Sequence, residues 1–173
     1  MAEEPFTVPA AAYGEHSSEY LEAEKSALNL IARAEQCTKG LKQKLEKKKY
    51  RSETIQIVLD HLVKLNLLND SRYAELWLRF RINYGAKGPR MLSERLRAKG
   101  INEQTVNAVL ALLLTEETEA ALLRRCLEKA KRDKKGYAKI FSENNSTDSK
   151  TIRYFLKGQG FSPEAIEGYF DEE

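Results

Sequence analysis

Seven apolar residues recur in register 51 positions apart, and six of those places are filled again 60 positions further on. Leu41, Leu45, Tyr50, Ile55, Val58, Leu59 and Leu62 align with Leu92, Leu96, Ile101, Val106, Val109, Leu110 and Leu113. Ile152, Leu156, Phe161, Ile166, Tyr169 and Phe170 form the third copy. A repeat of this kind restricts the fold to small supersecondary units that bury their apolar faces together. The i, i+4 spacing at Leu92 and Leu96 gives a short helix one apolar stripe. Gly100 and Gly160 then supply the left-handed residue that ends such a helix. Asn102 or Ser162 caps the next one, and Pro163 sits at a first helical position, where its missing N–H is not needed. Tyr50 with Ile55, Ile101 with Val106, and Phe161 with Ile166 have the spacing of a hydrophobic staple, which sets the angle between two helices.

A longer helix is expected ahead of each pair, over Glu19–Gln36, Asp70–Tyr84 and Thr115–Lys134. In the second, Tyr73, Ala74, Trp77, Phe80 and Tyr84 fall on one stripe and read as core. No strand-like alternation or Asn-Gly hairpin signal competes. The fold class is therefore all-α: three tandem three-helix repeats in an elongated, curved array. The expected division is a disordered acidic tail over 1–17, then repeats over 18–68, 69–114 and 115–173. The last repeat contains a polar loop near 141–150.

Charge is segregated beneath a formal net of +3. Residues 1–26 hold six acids and one Lys, and residues 162–173 hold five acids and no base. The stretches 39–51, 72–99 and 124–135 carry net charges of +6, +6 and +5. Basic stretches of this kind seek polyanions or acidic protein surfaces.

Enzyme chemistry has little to stand on. GAKGPR (Gly85–Arg90) lacks the GxxxxGK[ST] pattern and follows a helix rather than a strand, so it reads as a turn with a helix-starting Pro. His61 reads as an ordinary helical residue, and His16 lies in the tail. Cys37 and Cys126 share no metal-ligand spacing, and Cys126 reads as a structural thiol. No cofactor and no metal are expected. No apolar run reaches the length of a membrane span, and the N-terminus has no leader-like pattern, so the expected location is cytoplasmic. A helix-turn-helix DNA reader needs base-reading side chains on its last helix, yet Asn102–Thr115 contains no Lys or Arg. Non-specific, salt-sensitive DNA binding without any protein partner stays open as the alternative, and so does a purely structural adaptor for an acidic partner.

The stretch LLNDSRYAELWLRFRINYGAKGPRMLSERLRAKGI (Leu67–Ile101) resembles the RecX family, regulators of the RecA recombinase. Asp70, Arg72, Tyr73, Ala74, Arg81, Gly88, Leu96, Lys99, Gly100 and Ile101 occupy the family's places. The likeness extends to ALNLIARAE (Ala27–Glu35) and FLKGQGFSPEAI (Phe155–Ile166), covering about residues 20–171. The chain departs from the pattern at QCTKGL (Gln36–Leu41), where Gly40 stands in place of an acid that follows a Ser cap, and at Asn69, which replaces a frequent Asp. The resemblance implies a non-catalytic, monomeric modulator in DNA repair, homologous recombination and the SOS response. Such a protein binds the RecA filament on single-stranded DNA along its groove and reduces ATP hydrolysis, strand exchange and coprotease activity. The expected filament-binding residues are Arg72, Arg79, Arg81, Lys87, Arg90, Arg95, Arg97 and Lys99. Lys42, Lys44, Lys47, Lys48 and Lys49 form a secondary basic patch. Arg suits bidentate pairing with carboxylate or phosphate, whereas Lys acts as a point charge.

Overall fold

The computed structural model describes residues 17–132 and 149–171, and all regular structure among them is α-helical. The helices are α1 (Ser17–Arg33), α2 (Thr38–Lys47), α3 (Ser52–Lys64), α4 (Asp70–Tyr84), α5 (Pro89–Ala98), α6 (Glu103–Leu113), α7 (Glu116–Arg132), α8 (Ser149–Gly158) and α9 (Pro163–Asp171). They divide between Asp70 and Ser71 into two compact units. The acidic tail and most of the polar loop lie outside the described residues. Ser149 and Lys150, expected in that loop, instead open α8.

The first unit is one three-helix copy. Tyr20, Ala23 and Ala27 of α1 pack with Leu41 and Leu45 of α2 and with Ile55, Val58, Leu59 and Leu62 of α3. The first helix ends at Arg33, short of the expected Gln36, because Gln36 serves as its cap. Gln36 is buried, and its Nε2 donates to the carbonyls of Ala34 at 2.8 Å and Leu30 at 3.3 Å. Orphan carbonyls at a helix end need such donors. The start of α2 lacks a cap of its own: Cys37 makes no side-chain bond there. The Thr38 N–H donates instead to Asp70 Oδ1 at 2.7 Å, so an acid 32 residues along the chain fills the place that Gly40 left empty. The N-terminus of α3 is capped from a distance too, since Glu19 accepts from Arg51 N–H at 2.8 Å and Thr54 Oγ1 at 3.2 Å. His61 lies in a half-buried chain of hydrogen bonds, with Nδ1 2.9 Å from the Tyr20 hydroxyl, which itself donates to Glu24 at 2.9 Å.

The second unit takes in the second and third copies together. Its buried residues include Ala74 and Leu78 (α4), Leu92 and Leu96 (α5), Val106 and Val109 (α6), Leu122, Leu123, Cys126 and Leu127 (α7), Phe155 and Leu156 (α8), and Ile166 (α9). A backbone contact between the two copies passes through glycine. Gly88 N–H donates to Gln159 O at 3.0 Å and Arg90 N–H to Gly160 O at 3.1 Å. A β-carbon on Gly88 would lie 2.3 Å from the carbonyl of Gly160, so only glycine admits this approach.

The three helix corners share one geometry. Gly100 and Gly160 have φ of +87° and +89°, and Lys49 takes the equivalent place at +66°. In each later copy the N–H after the glycine reaches back across the turn, Ile101 to Leu96 O at 3.2 Å and Phe161 to Leu156 O at 3.3 Å. Asn102 Oδ1 then accepts from Thr105 N–H at 2.8 Å, and Ser162 Oγ from Ala165 N–H at 3.2 Å, as the sequence predicts. The aromatic stripe of α4 departs from expectation. Ala74 and Leu78 form its buried face, while Phe80 and Tyr84 are 55% and 68% exposed and Tyr73 and Trp77 are half-buried. At ~100° per residue, the Ala74–Leu78 direction lies about a third of a turn from the rings, and helix periodicity alone does not say which of two adjacent apolar stripes faces the core.

Candidate functional site

Cations outnumber acids among the described residues of both units, and their partners separate them into groups. On α2 and the turn after it, Lys42, Lys44, Lys47, Lys48 and Lys49 are all exposed around the buried Leu41 and Leu45. Lys44 donates to Gln36 Oε1 at 2.7 Å and Lys48 to Ser26 Oγ at 3.3 Å. None of the five is in a salt bridge among the described residues.

Of the eight cations expected to bind a partner in the second copy, Arg79, Arg90 and Arg97 hold acids among the described residues. Arg79 grips Glu75 through Nε at 3.0 Å and Nη2 at 2.7 Å. Arg90 pairs with Glu94 at 3.0 Å and also donates to Lys157 O at 3.2 Å. Arg97 pairs with Glu103 at 2.9 Å. Exposed pairs of this kind are weak, about 0–1 kcal/mol each, so a polyanion can compete for these side chains. Arg72 is half-buried, and Lys99 Nζ lies over the Tyr73 ring at 5.7 Å.

The remaining three, Arg81, Lys87 and Arg95, come together in a cleft of about 350 Å³ within the second unit. Lys129 of α7 is the fourth cation in its lining, which contains no acid among the described residues, and Leu92, Cys126, Ala130 and Phe155 give it an apolar floor. The Arg81 guanidinium lies 5.1 Å from the Trp77 ring centre and 5.8 Å from that of Phe80, a cation–π arrangement, and its buried Nε has no hydrogen-bond partner among the described residues. Lys87 donates to Gln159 Oε1. Burial pushes the Cys126 thiol pKa up, while the nearby charges of Lys87 and Lys129 pull it the other way.

Sequence reasoning counted the bases of 124–135 without assigning them a task. Two of them hold the end of α4. Arg125 Nη1 donates to the carbonyls of Ile82 at 2.6 Å, Asn83 at 2.9 Å and Gly85 at 3.2 Å, and Lys129 donates to Tyr84 O at 2.9 Å. Cations suit this place because the orphan carbonyls of a helix C-terminus carry partial negative charge. A run of bases 40 residues away gives no local sign of this role. Among the described residues, no group of three or more His, Cys, Asp or Glu could hold a metal ion, and no helix is long and apolar enough to cross a membrane.

Comparison with known proteins places this architecture. Residues 23–62 match the first three-helix domain of RecX, and residues 69–110 match the second. The chain is 30% identical over 145 residues to the regulatory protein RecX of Treponema pallidum, covering 84% of this chain and 81% of the relative. This chain belongs to the RecX family. The regulatory protein RecX of Clostridioides difficile is 36% identical over 148 residues, or 85% of this chain and 66% of that protein. The helical-repeat fold also matches a crystal structure of regulatory protein RecX at a TM-score of 0.80, with 22% identity over 99% of this chain and 81% of the other. RecX from Lactobacillus salivarius matches at 0.75, with 23% identity over 90% of this chain and 97% of that one. RecX is a family of regulatory proteins.

Proposed function

We propose that this chain regulates RecA, mainly as an inhibitor, by binding the RecA nucleoprotein filament and lowering its ATP hydrolysis, strand exchange and coprotease activity. The observation that carries the reading is the match of both RecX three-helix domains, in order, at 23–62 and 69–110. The charge layout supports it: exposed lysines on α2 and the cations of α4–α5 offer two basic faces to a filament of protein and DNA. The protein acts as a non-catalytic cytoplasmic monomer, with repeats over 18–68, 69–114 and 115–173 as its binding modules.

The test is RecA ATP hydrolysis on single-stranded DNA, titrated with this protein at two salt concentrations. Inhibition at less than one molecule per RecA supports the reading. Inhibition that needs saturation of bare DNA, or none at all, refutes it. Replacing Arg72, Arg95 and Arg97 together by Glu is expected to weaken inhibition while helicity stays intact. Undiminished inhibition by that folded variant would remove this surface from the account.

A further inference from the structure

The cleft bounded by Arg81, Lys87, Arg95 and Lys129 is built for an anion that carries a flat apolar group. Among the described residues four cations and no acid line it, over a floor of Leu92, Cys126, Ala130 and Phe155. Its volume of about 350 Å³ falls at the small end of ligand-binding pockets, roughly 300–1,000 Å³. Arg95 is exposed with no side-chain partner among the described residues, so its guanidinium is open to an incoming anion.

The rim distinguishes the kind of anion. Tyr84 belongs to the cleft lining and is 68% exposed. Its ring lies 5.0 Å from that of Phe80, which is 55% exposed, and Arg81 reaches over Phe80 and Trp77. Open aromatic faces beside a cationic groove are the arrangement that stacks unpaired bases while the charges follow the backbone. A duplex keeps its base faces covered and cannot use the rings.

We propose that this cleft binds single-stranded nucleic acid directly, holding a phosphate among Arg81, Lys87, Arg95 and Lys129 and stacking an adjacent base on Tyr84. The site tolerates any sequence, because every base has a face to stack. It deepens the regulatory reading by giving part of the basic surface to the DNA of the filament rather than to the recombinase, and it rests on that reading only for its biological role.

The experiment omits RecA, so its failure and the failure of the filament reading are separate results. Fluorescence anisotropy of a labelled oligothymidylate is measured with the full chain, the exposed-site variants Tyr84→Ala and Arg95→Gln, and an abasic strand of equal length. The expected results are binding of the oligothymidylate tighter than of the abasic strand or a duplex, and a loss on Tyr84→Ala of ~10-fold, confined to the strand with bases. Arg95→Gln should flatten the logarithmic salt dependence by about 0.7, the value for one lost phosphate contact on a single strand. Circular dichroism confirms that both variants remain folded. Equal binding of duplex and single strand, or variants indistinguishable from the parent, would overturn the proposal. Displacement from the cleft by a Glu-rich peptide, with oligothymidylate binding unmoved by either variant, would assign it to an acidic protein partner and overturn it equally.

Discussion

Replacing Gly88 by Ala tests whether the second and third copies are locked together by backbone contact. Gly88 has φ of −74°, which any residue adopts, so backbone preference alone predicts a gain of about 0.4–1 kcal/mol from Gly88→Ala. Packing predicts the opposite. The new β-carbon would sit 2.3 Å from both the carbonyl carbon and oxygen of Gly160 and 2.4 Å from the Phe161 nitrogen. All three are backbone atoms, which cannot turn aside as a flexible side chain can. The strands of chain must part by ~1 Å to restore ordinary contact, and overpacking of this kind costs about 1–3 kcal/mol. That displacement also stretches the Gly88–Gln159 and Arg90–Gly160 hydrogen bonds, now 3.0 and 3.1 Å, beyond useful length. Each lost bond adds about 0.5–1.5 kcal/mol. The net loss is ~2–5 kcal/mol, a large share of the 5–15 kcal/mol that holds a typical domain. Urea denaturation of the parent and Gly88→Ala, with amide exchange at Gly88 and Arg90, measures it. Gly158→Ala and Gly168→Ala are the internal controls, because a β-carbon there meets nothing within 4 Å. They should leave stability unchanged or raise it by up to ~1 kcal/mol. If Gly88→Ala matches the controls, the glycine contact does not hold the copies together and the argument fails.

Four further outcomes follow from particular contacts. Lys49 occupies a left-handed corner at φ +66° where the later copies have glycine, so Lys49→Gly should raise stability by ~0.5–1 kcal/mol in thermal or urea melts. A destabilised variant would show that the Lys49 side chain outweighs its backbone strain. Asp70→Ala removes the cap on Thr38 and should cost about 1 kcal/mol, seen as faster exchange of the first α2 amides; unchanged exchange would remove Asp70 from that role. Arg125→Met strips three carbonyls at the end of α4 of their donor and should cost ~2–3 kcal/mol, so a melt within 0.5 kcal/mol of the parent, about the noise of a neutral surface change, would contradict it. Glu167, bonded to Arg153 at 2.7 and 2.9 Å, has its pKa lowered below the usual 4.5, first by that hydrogen bond. Its contribution is complete above 4.5 and is lost as pH falls through the lowered folded value. A carboxyl NMR titration of Glu167 with a midpoint at or above 4.5 would refute the pairing.

Much of this protein was readable because it is local. Apolar residues at helical spacing, Gly100 and Gly160 as corners, and Asn102 and Ser162 as caps all act within a few residues of themselves, so nearest-neighbour rules reach them. Repetition then turned weak local signals into a fold class, since the same helix–corner–helix pattern recurs with its apolar register intact. The basic character of the surface was legible for the same reason: charge is a count, and exposed residues keep it.

The tertiary structure decided what depends on distant partners. Which face of α4 is buried was one such matter, because Tyr73, Trp77, Phe80 and Tyr84 and the pair Ala74 and Leu78 all fit a helical stripe. Only packing in the second unit selects the smaller pair and leaves Phe80 and Tyr84 exposed, with Tyr73 and Trp77 half-buried. The grouping of Arg81, Lys87 and Arg95 with Lys129 was another, since the fourth cation comes from a different helix more than 30 residues on. Gly88 reads as part of a turn in the sequence, yet its lack of a β-carbon matters because Gly160 lies against it. The caps from Asp70, Glu19 and Arg125 are of the same kind. A chain specifies its helices through neighbours in sequence, but hydrogen bonds and close contacts act through space, and a single sequence does not list which distant residues the fold will bring within 3 Å of each other.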